Sequence, residues 1–98
     1  MQPWWEPRAV LRRFVADMLA DELARLRRSS VPPPAGWSED LRLDADLGVD
    51  SLEHMNLAST LAEALQLYES GIEDYLLARR TLGEWLAVSY THLRAHET

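Results

Sequence analysis

A chain of 98 residues with a formal net charge of −6, 47% hydrophobic and 27% charged residues has the make-up of one small globular domain rather than a disordered segment. It contains no cysteine, which excludes disulfides, thiolate metal sites and a cysteine nucleophile, so any thiol chemistry has to come from an attached group. No apolar run reaches the roughly 18 residues that would span a membrane, and the opening MQPWWEPRAVLRRF lacks the pattern of a secretory signal, so a cytoplasmic protein is expected.

The charge is unevenly spread. Residues 1–30 carry six Arg against four acids, whereas residues 31–98 carry four Arg against twelve. From Glu39 to Asp74 only Arg42 opposes ten acids. Such a surface repels nucleic acid and anionic membranes and steers toward basic protein patches. Solubility alone would also account for it.

The first predicted helix spans about residues 7–28. Pro7 suits a first turn; Val10, Leu11, Phe14, Val15, Met18, Leu19, Leu23 and Leu26 recur at helical spacing. Arg27 and Arg28 face the negative end of the helix dipole, and the segment SSVPPPAG stops the helix. A long loop follows to Asp50, in which Trp37, Leu41, Leu43 and Leu47 are spaced to pin it on the core.

The second helix is predicted to start at Ser51, with Asp50 as N-cap and Glu53 adding favourable negative charge in the first turn. At 100° per residue, Leu57, Ala58, Leu61, Ala64 and Leu65 share the core-facing side, while Ser51, Met55, Ser59 and Ala62 lie on another. A short third helix is predicted over residues 72–79. A last one begins at Thr81, where Thr81-Leu82-Gly83-Glu84 matches a capping box and Leu82, Trp85, Leu86 and Tyr90 point inward. The ending SYTHLRAHET has no apolar period. It reads as an appended, non-native or disordered tail, which places the domain at residues 1–90 and the tail at 91–98. The expected fold is all-α, a small four-helix bundle with a long first loop and a short third helix.

Ser51 is the residue that most needs an explanation. As a nucleophile it lacks a G-x-S-x-G elbow and a glycine-rich oxyanion loop. Asp50 is better used as a cap, and His54 falls amid the apolar stripe, where a packed, hydrogen-bonded core histidine is expected rather than a base. Asp44-Ala45-Asp46 starts like a calcium loop, but Val49 stands where glycine is needed and Met55 where glutamate is needed. A metal site is not expected, and no catalytic group of the chain's own is evident.

Asp46-Leu47-Gly48-Val49-Asp50-Ser51-Leu52-Glu53 closely resembles the D-L-G-x-D-S-L-[DE] signature of acyl carrier proteins. The octapeptide is specific; over residues 8–88 the order of helices matches as supporting pattern. The resemblance implies a non-enzymatic carrier on which Ser51 bears 4′-phosphopantetheine, transferred from coenzyme A, with Gly48, Asp50 and Leu52 beside the arm. It further implies partner contacts at Leu52, Glu53, Met55 and Glu63, and a core of Leu57, Leu61 and Leu65 that can border an acyl chain.

The partners it implies are a phosphopantetheinyl transferase, an acyl ligase or acyltransferase, and condensing or modifying enzymes with basic docking patches. The carrier itself is expected to be a monomer. Asn56 and Ala62 stand where many relatives carry acids, Arg79-Arg80 ends a segment that lacks the usual acidic third helix, and the Trp-rich start is unusual. The Gly71–Arg80 segment, the Trp-rich start and the triple proline point to a specialised fatty-acid or polyketide-like pathway. The alternative is an unmodified helical interaction module using the acidic face of the second helix.

Overall fold

The computed structural model describes residues 2–95. Four α-helices and one 3-10 turn make up the regular structure: α1 Arg8–Arg27, the turn Pro34–Gly36, α2 Ser51–Ala64, α3 Ile72–Leu77 and α4 Leu82–Ala95. No strand forms among the described residues; Arg42 and Thr81 share one isolated antiparallel bridge. The all-α bundle with a long first loop and a short third helix is therefore as expected.

In α1 the buried face is Leu11, Val15, Ala16, Leu19, Ala20 and Leu23. Val10 and Phe14, expected inside, are exposed. The stripe is narrower than the apolar spacing implies because alanines complete it. Phe14 is instead covered on one side by Trp4, whose ring lies 4.9 Å away. Trp5 is buried and meets Tyr90 edge-on at 5.5 Å, joining the N-terminal segment to α4.

The loop over residues 28–50 is a built part of the fold. Trp37, Leu43, Leu47 and Val49 are buried and Leu41 packs beside them. Backbone bonds sew it to the start of α4: Leu43 N–H donates to the Arg80 carbonyl at 2.8 Å, Leu82 N–H to Leu41 at 3.0 Å and Gly83 N–H to Glu39 at 2.8 Å. A Cβ at Gly83 would lie 3.0 Å from the Glu39 carbonyl oxygen, so glycine permits this approach. The predicted Thr81 cap is present, with Glu84 N–H donating to Thr81 Oγ1 at 3.1 Å and Thr81 N–H to Glu84 Oε1 at 3.2 Å.

Two positions on α2 exchange roles. Ala62 is buried and Ala64 exposed, the reverse of the wheel. The chain after α2 turns back through Gln66, which has φ +56°, and Leu67 N–H bonds the Ala62 carbonyl at 2.8 Å. Buried Leu67 and Ile72 thus close the side that carries Ala62. Helix α4 runs past residue 90 to Ala95, with Leu93 packed on the core. Residues 96–98 of the expected tail lie outside the described residues.

His54 is 5% exposed and stacks on Trp85, with centroids 5.5 Å apart and planes 21° apart. Burial is as expected, but Nε2 has no hydrogen-bond partner. Burial is the main cause that pushes its pKa below 6.5, and the Arg80 charge adds to it. The Leu76 and Arg79 carbonyls and Asp44 oppose the shift without restoring the ordinary value.

A proton therefore binds the unfolded chain more readily than the folded one. Stability is complete above the unfolded value of 6.5 and declines as pH falls from there toward the depressed folded value. Thermal unfolding followed between about pH 7.5 and 5 should show Tm falling on acidification. His54→Phe, which keeps the aromatic stack, should flatten that dependence.

Candidate functional site at the start of helix α2

The geometry around Ser51 begins with backbone. Gly48 has φ +65°, the left-handed region that costs a side-chain-bearing residue about 1–2 kcal/mol. That turn lets buried Leu47 and Val49 hold the loop while the chain reverses into α2. Asp50 then caps the helix: its Oδ1 accepts from Glu53 N–H at 2.7 Å, and Glu53 Oε1 accepts from Asp50 N–H at 3.1 Å. The sequence signalled the cap; the reciprocal bond makes it a complete capping box.

Ser51 is the first residue of α2 and is exposed. Its hydroxyl makes no hydrogen bond among the described residues. Leu52 and Met55 beside it are 69% and 56% exposed, well above what large apolar side chains show when a fold has a use for them inside. Together with Asn56, Ser59, Glu73 and Leu77 they line a shallow groove of about 300 Å³ between α2 and α3. A second groove, about 440 Å³, continues along Glu63, Glu69, Glu73 and Asp74. His54, though three residues from Ser51, is turned into the core and cannot act as its base.

The remaining candidates divide by location. Leu57, Leu61 and Leu65 are buried in the bundle core, away from the mouth of the site. Glu63 is exposed beside the acidic groove. Glu53 is half-buried and already engaged: Arg27 Nε donates to Oε2 at 2.7 Å and Arg27 Nη2 to Oε1 at 2.9 Å. The same Nη2 donates to the Gly48 carbonyl at 3.1 Å. The Arg27 hydrogen bonds hold the Glu53 carboxyl below the ordinary carboxylate range, against the opposing effect of burial.

Sequence reasoning missed Arg27 as part of this site. A cation in the last turn of a helix has a sufficient local reason in the dipole, so nothing pointed to a partner 26 positions away. Among the described residues no group of three or more His, Cys, Asp or Glu is arranged to hold a metal ion. No described helix is long and apolar enough to cross a membrane.

An all-α bundle that exposes a serine at the start of its second helix is the class that fold and site define. Against known proteins, the chain is similar to part of several 4-coumarate–CoA ligases. That of Halorhodospira halophila is 41% identical over 80 residues, covering 66% of this chain and 20% of the ligase. That of Cereibacter sphaeroides is 45% identical over 64 residues, covering 64% and 15%. That of Rhodobacter capsulatus is 33% identical over 78 residues, covering 79% and 20%. The chain thus spans about a fifth or less of the length of these curated relatives. No family model matches the chain, and no solved structure does.

The backbone of the site is open to test. A Cβ at Gly48 would meet no atom within 4 Å, so Gly48→Ala isolates the conformational cost. Urea unfolding should show a loss of about 1 kcal/mol, with Gly48→Asn losing less. Asp50→Ala should cost about 1 kcal/mol by removing the cap, and Asp50→Asn much less.

Proposed function

We propose that this chain is a carrier domain that holds acyl groups on a 4′-phosphopantetheine arm attached at Ser51. The observation that carries the reading is an exposed, unengaged hydroxyl at the start of α2, inside the octapeptide Asp46–Glu53. The fit of the group rests on that exposure: the hydroxyl faces solvent at a helix start whose aspartate cap leaves it uncommitted. When bound, the arm supplies the thiol that this cysteine-free chain lacks and on which an acyl group is carried as a thioester.

The chain's own residues bind and orient. Ser51 Oγ attacks the β-phosphorus of coenzyme A in the active site of a phosphopantetheinyl transferase. Its proton passes to a base of that enzyme, and adenosine 3′,5′-bisphosphate leaves. Gly48 and Asp50 set the direction of the hydroxyl, while Leu52 and Met55 offer an apolar contact beside it. The first turn of α2 tolerates the negative charge of a phosphodiester because its N–H groups and dipole favour anions by about 0.3–1 kcal/mol. Glu63, Glu73 and Asp74 give the neighbouring groove a negative field that attracts basic partner surfaces. On this reading the acyl chemistry belongs to the partner enzymes, and the carrier presents the substrate to them.

Similarity to part of ligases named for 4-coumarate and coenzyme A supports an adenylating acyl ligase as the loading enzyme, acting on an arylacrylic acid of the 4-coumarate class. A discrete unmodified interaction module accounts for the acidic groove equally well. It gives no reason for the octapeptide or for the unengaged serine.

Intact-mass measurement after incubation with coenzyme A and a broad-specificity phosphopantetheinyl transferase decides between them. The expected result is a gain of about 340 Da that is lost in Ser51→Ala. An unmodified chain, or a gain that persists in Ser51→Ala, overturns the proposal.

A further inference from the structure

Arg27 is unlike the other arginines that form ion pairs in this fold. Its side chain is 29% exposed and that of Glu53 17%, whereas the arginines paired with Glu39, Asp17, Glu22 and Asp44 are all more than half exposed. It is also the arginine that reaches across the fold to the start of α2. One guanidinium ties the last turn of α1 to the Glu53 carboxylate through two bonds and to the Gly48 carbonyl through a third. Glu53 in turn accepts the Asp50 N–H.

These bonds fix the backbone on both sides of Ser51 while leaving Ser51 itself untouched. Gly48 is held by its carbonyl and Asp50 by its N–H, with Glu53 held at N–H and carboxylate. Exposed ion pairs add little to stability, but a planar fork that bridges a carboxylate and a carbonyl sets geometry that a flexible ammonium does not. A hydroxyl that must align with a phosphorus atom inside another protein depends on such geometry, since displacement by about 1 Å can slow a reaction about 100-fold.

We propose that Arg27 is a positioning residue for modification at Ser51: from the end of α1 it holds Gly48 and Glu53 so that the hydroxyl is presented in the orientation the transferase requires. The inference rests on the carrier reading above. It assigns Glu53 to this internal clamp rather than to a partner's basic patch. It also makes α1, which carries no part of the octapeptide, a determinant of how fast the octapeptide is modified.

The test follows steady-state modification of the full chain by a phosphopantetheinyl transferase with coenzyme A, comparing wild type, Arg27→Leu, Arg27→Lys and Arg13→Leu. Arg13→Leu removes the same charge from an exposed part of α1. Arg27→Leu should lower kcat about tenfold or more with KM for the carrier nearly unchanged, Arg27→Lys should recover part of the loss, and Arg13→Leu should match wild type. Amide hydrogen exchange supplies a readout apart from activity: the Asp50 N–H should exchange faster in Arg27→Leu while core amides of Leu57 and Leu61 stay protected.

Wild type modified and Arg27→Leu modified at the same kcat overturns this inference and leaves the carrier reading standing. A change in KM alone also overturns it, because it would make Arg27 a contact for the enzyme. Should Arg27→Leu lose the fold, the folded Arg27→Lys variant decides by the same criteria. Wild type that gains no mass removes both readings.

Discussion

A long connection between the first two helices has to be held still if anything at the start of α2 is to point in a defined direction. Residues 28–50 contain three consecutive prolines and little regular structure, so the usual intrahelical bonds cannot do this. The constraint comes from three independent attachments. Apolar side chains at Trp37, Leu43, Leu47 and Val49 enter the core, backbone bonds from residues 39–43 engage the start of α4, and Arg27 clamps Gly48 and Glu53. Each would be weak alone. Together they turn a loop into a mount, and the exposed hydroxyl of Ser51 is where that mount ends.

Much of this was legible in the sequence because its causes are local. Helical spacing located α1, α2 and α4, the Asp50 and Thr81 caps marked two helix starts, and the scattered apolar residues of the loop announced that it was pinned. What escaped depends on contacts distant in sequence. Arg27 meets a partner 26 residues on. Trp5 is buried in the core and meets Tyr90 of the last helix, 85 positions away. Ala62 and Ala64 exchanged sides because the turn at Gln66 brings Leu67 back against α2, which no helical wheel of α2 alone contains. Helix α4 outran its apolar period because a helix already nucleated by its cap adds residues at small cost, and Leu93 gave the added turns a contact with the core.

The charge distribution acquires a finer meaning from the same contacts. Counted along the chain, the ten acids between Glu39 and Asp74 form one block. In the fold they separate. Glu39 is paired with Arg8, Asp44 with Arg42 and Glu53 with Arg27, so these serve internal geometry. Glu63, Glu73 and Asp74 line a groove without a cation among its lining residues. Part of the formal negative charge between Glu39 and Asp74 is thus spent in ion pairs, while Glu63, Glu73 and Asp74 gather along the groove between α2 and α3.

That separation bears on how a fold with no cysteine would serve the thioester chemistry proposed above. A carrier has two demands that conflict: the attachment point must be rigid enough for a modifying enzyme to find, yet the cargo must be free to travel between enzymes. On the carrier reading proposed above, Arg27, Glu53, Asp50 and Gly48 would meet the first demand and the second would fall to the group on Ser51, since Leu52 and Met55 offer only a shallow apolar ledge. Beneath the serine the core is occupied by side chains: Leu57 and Leu61 are fully enclosed, and His54 of α2 stacks on Trp85 of α4.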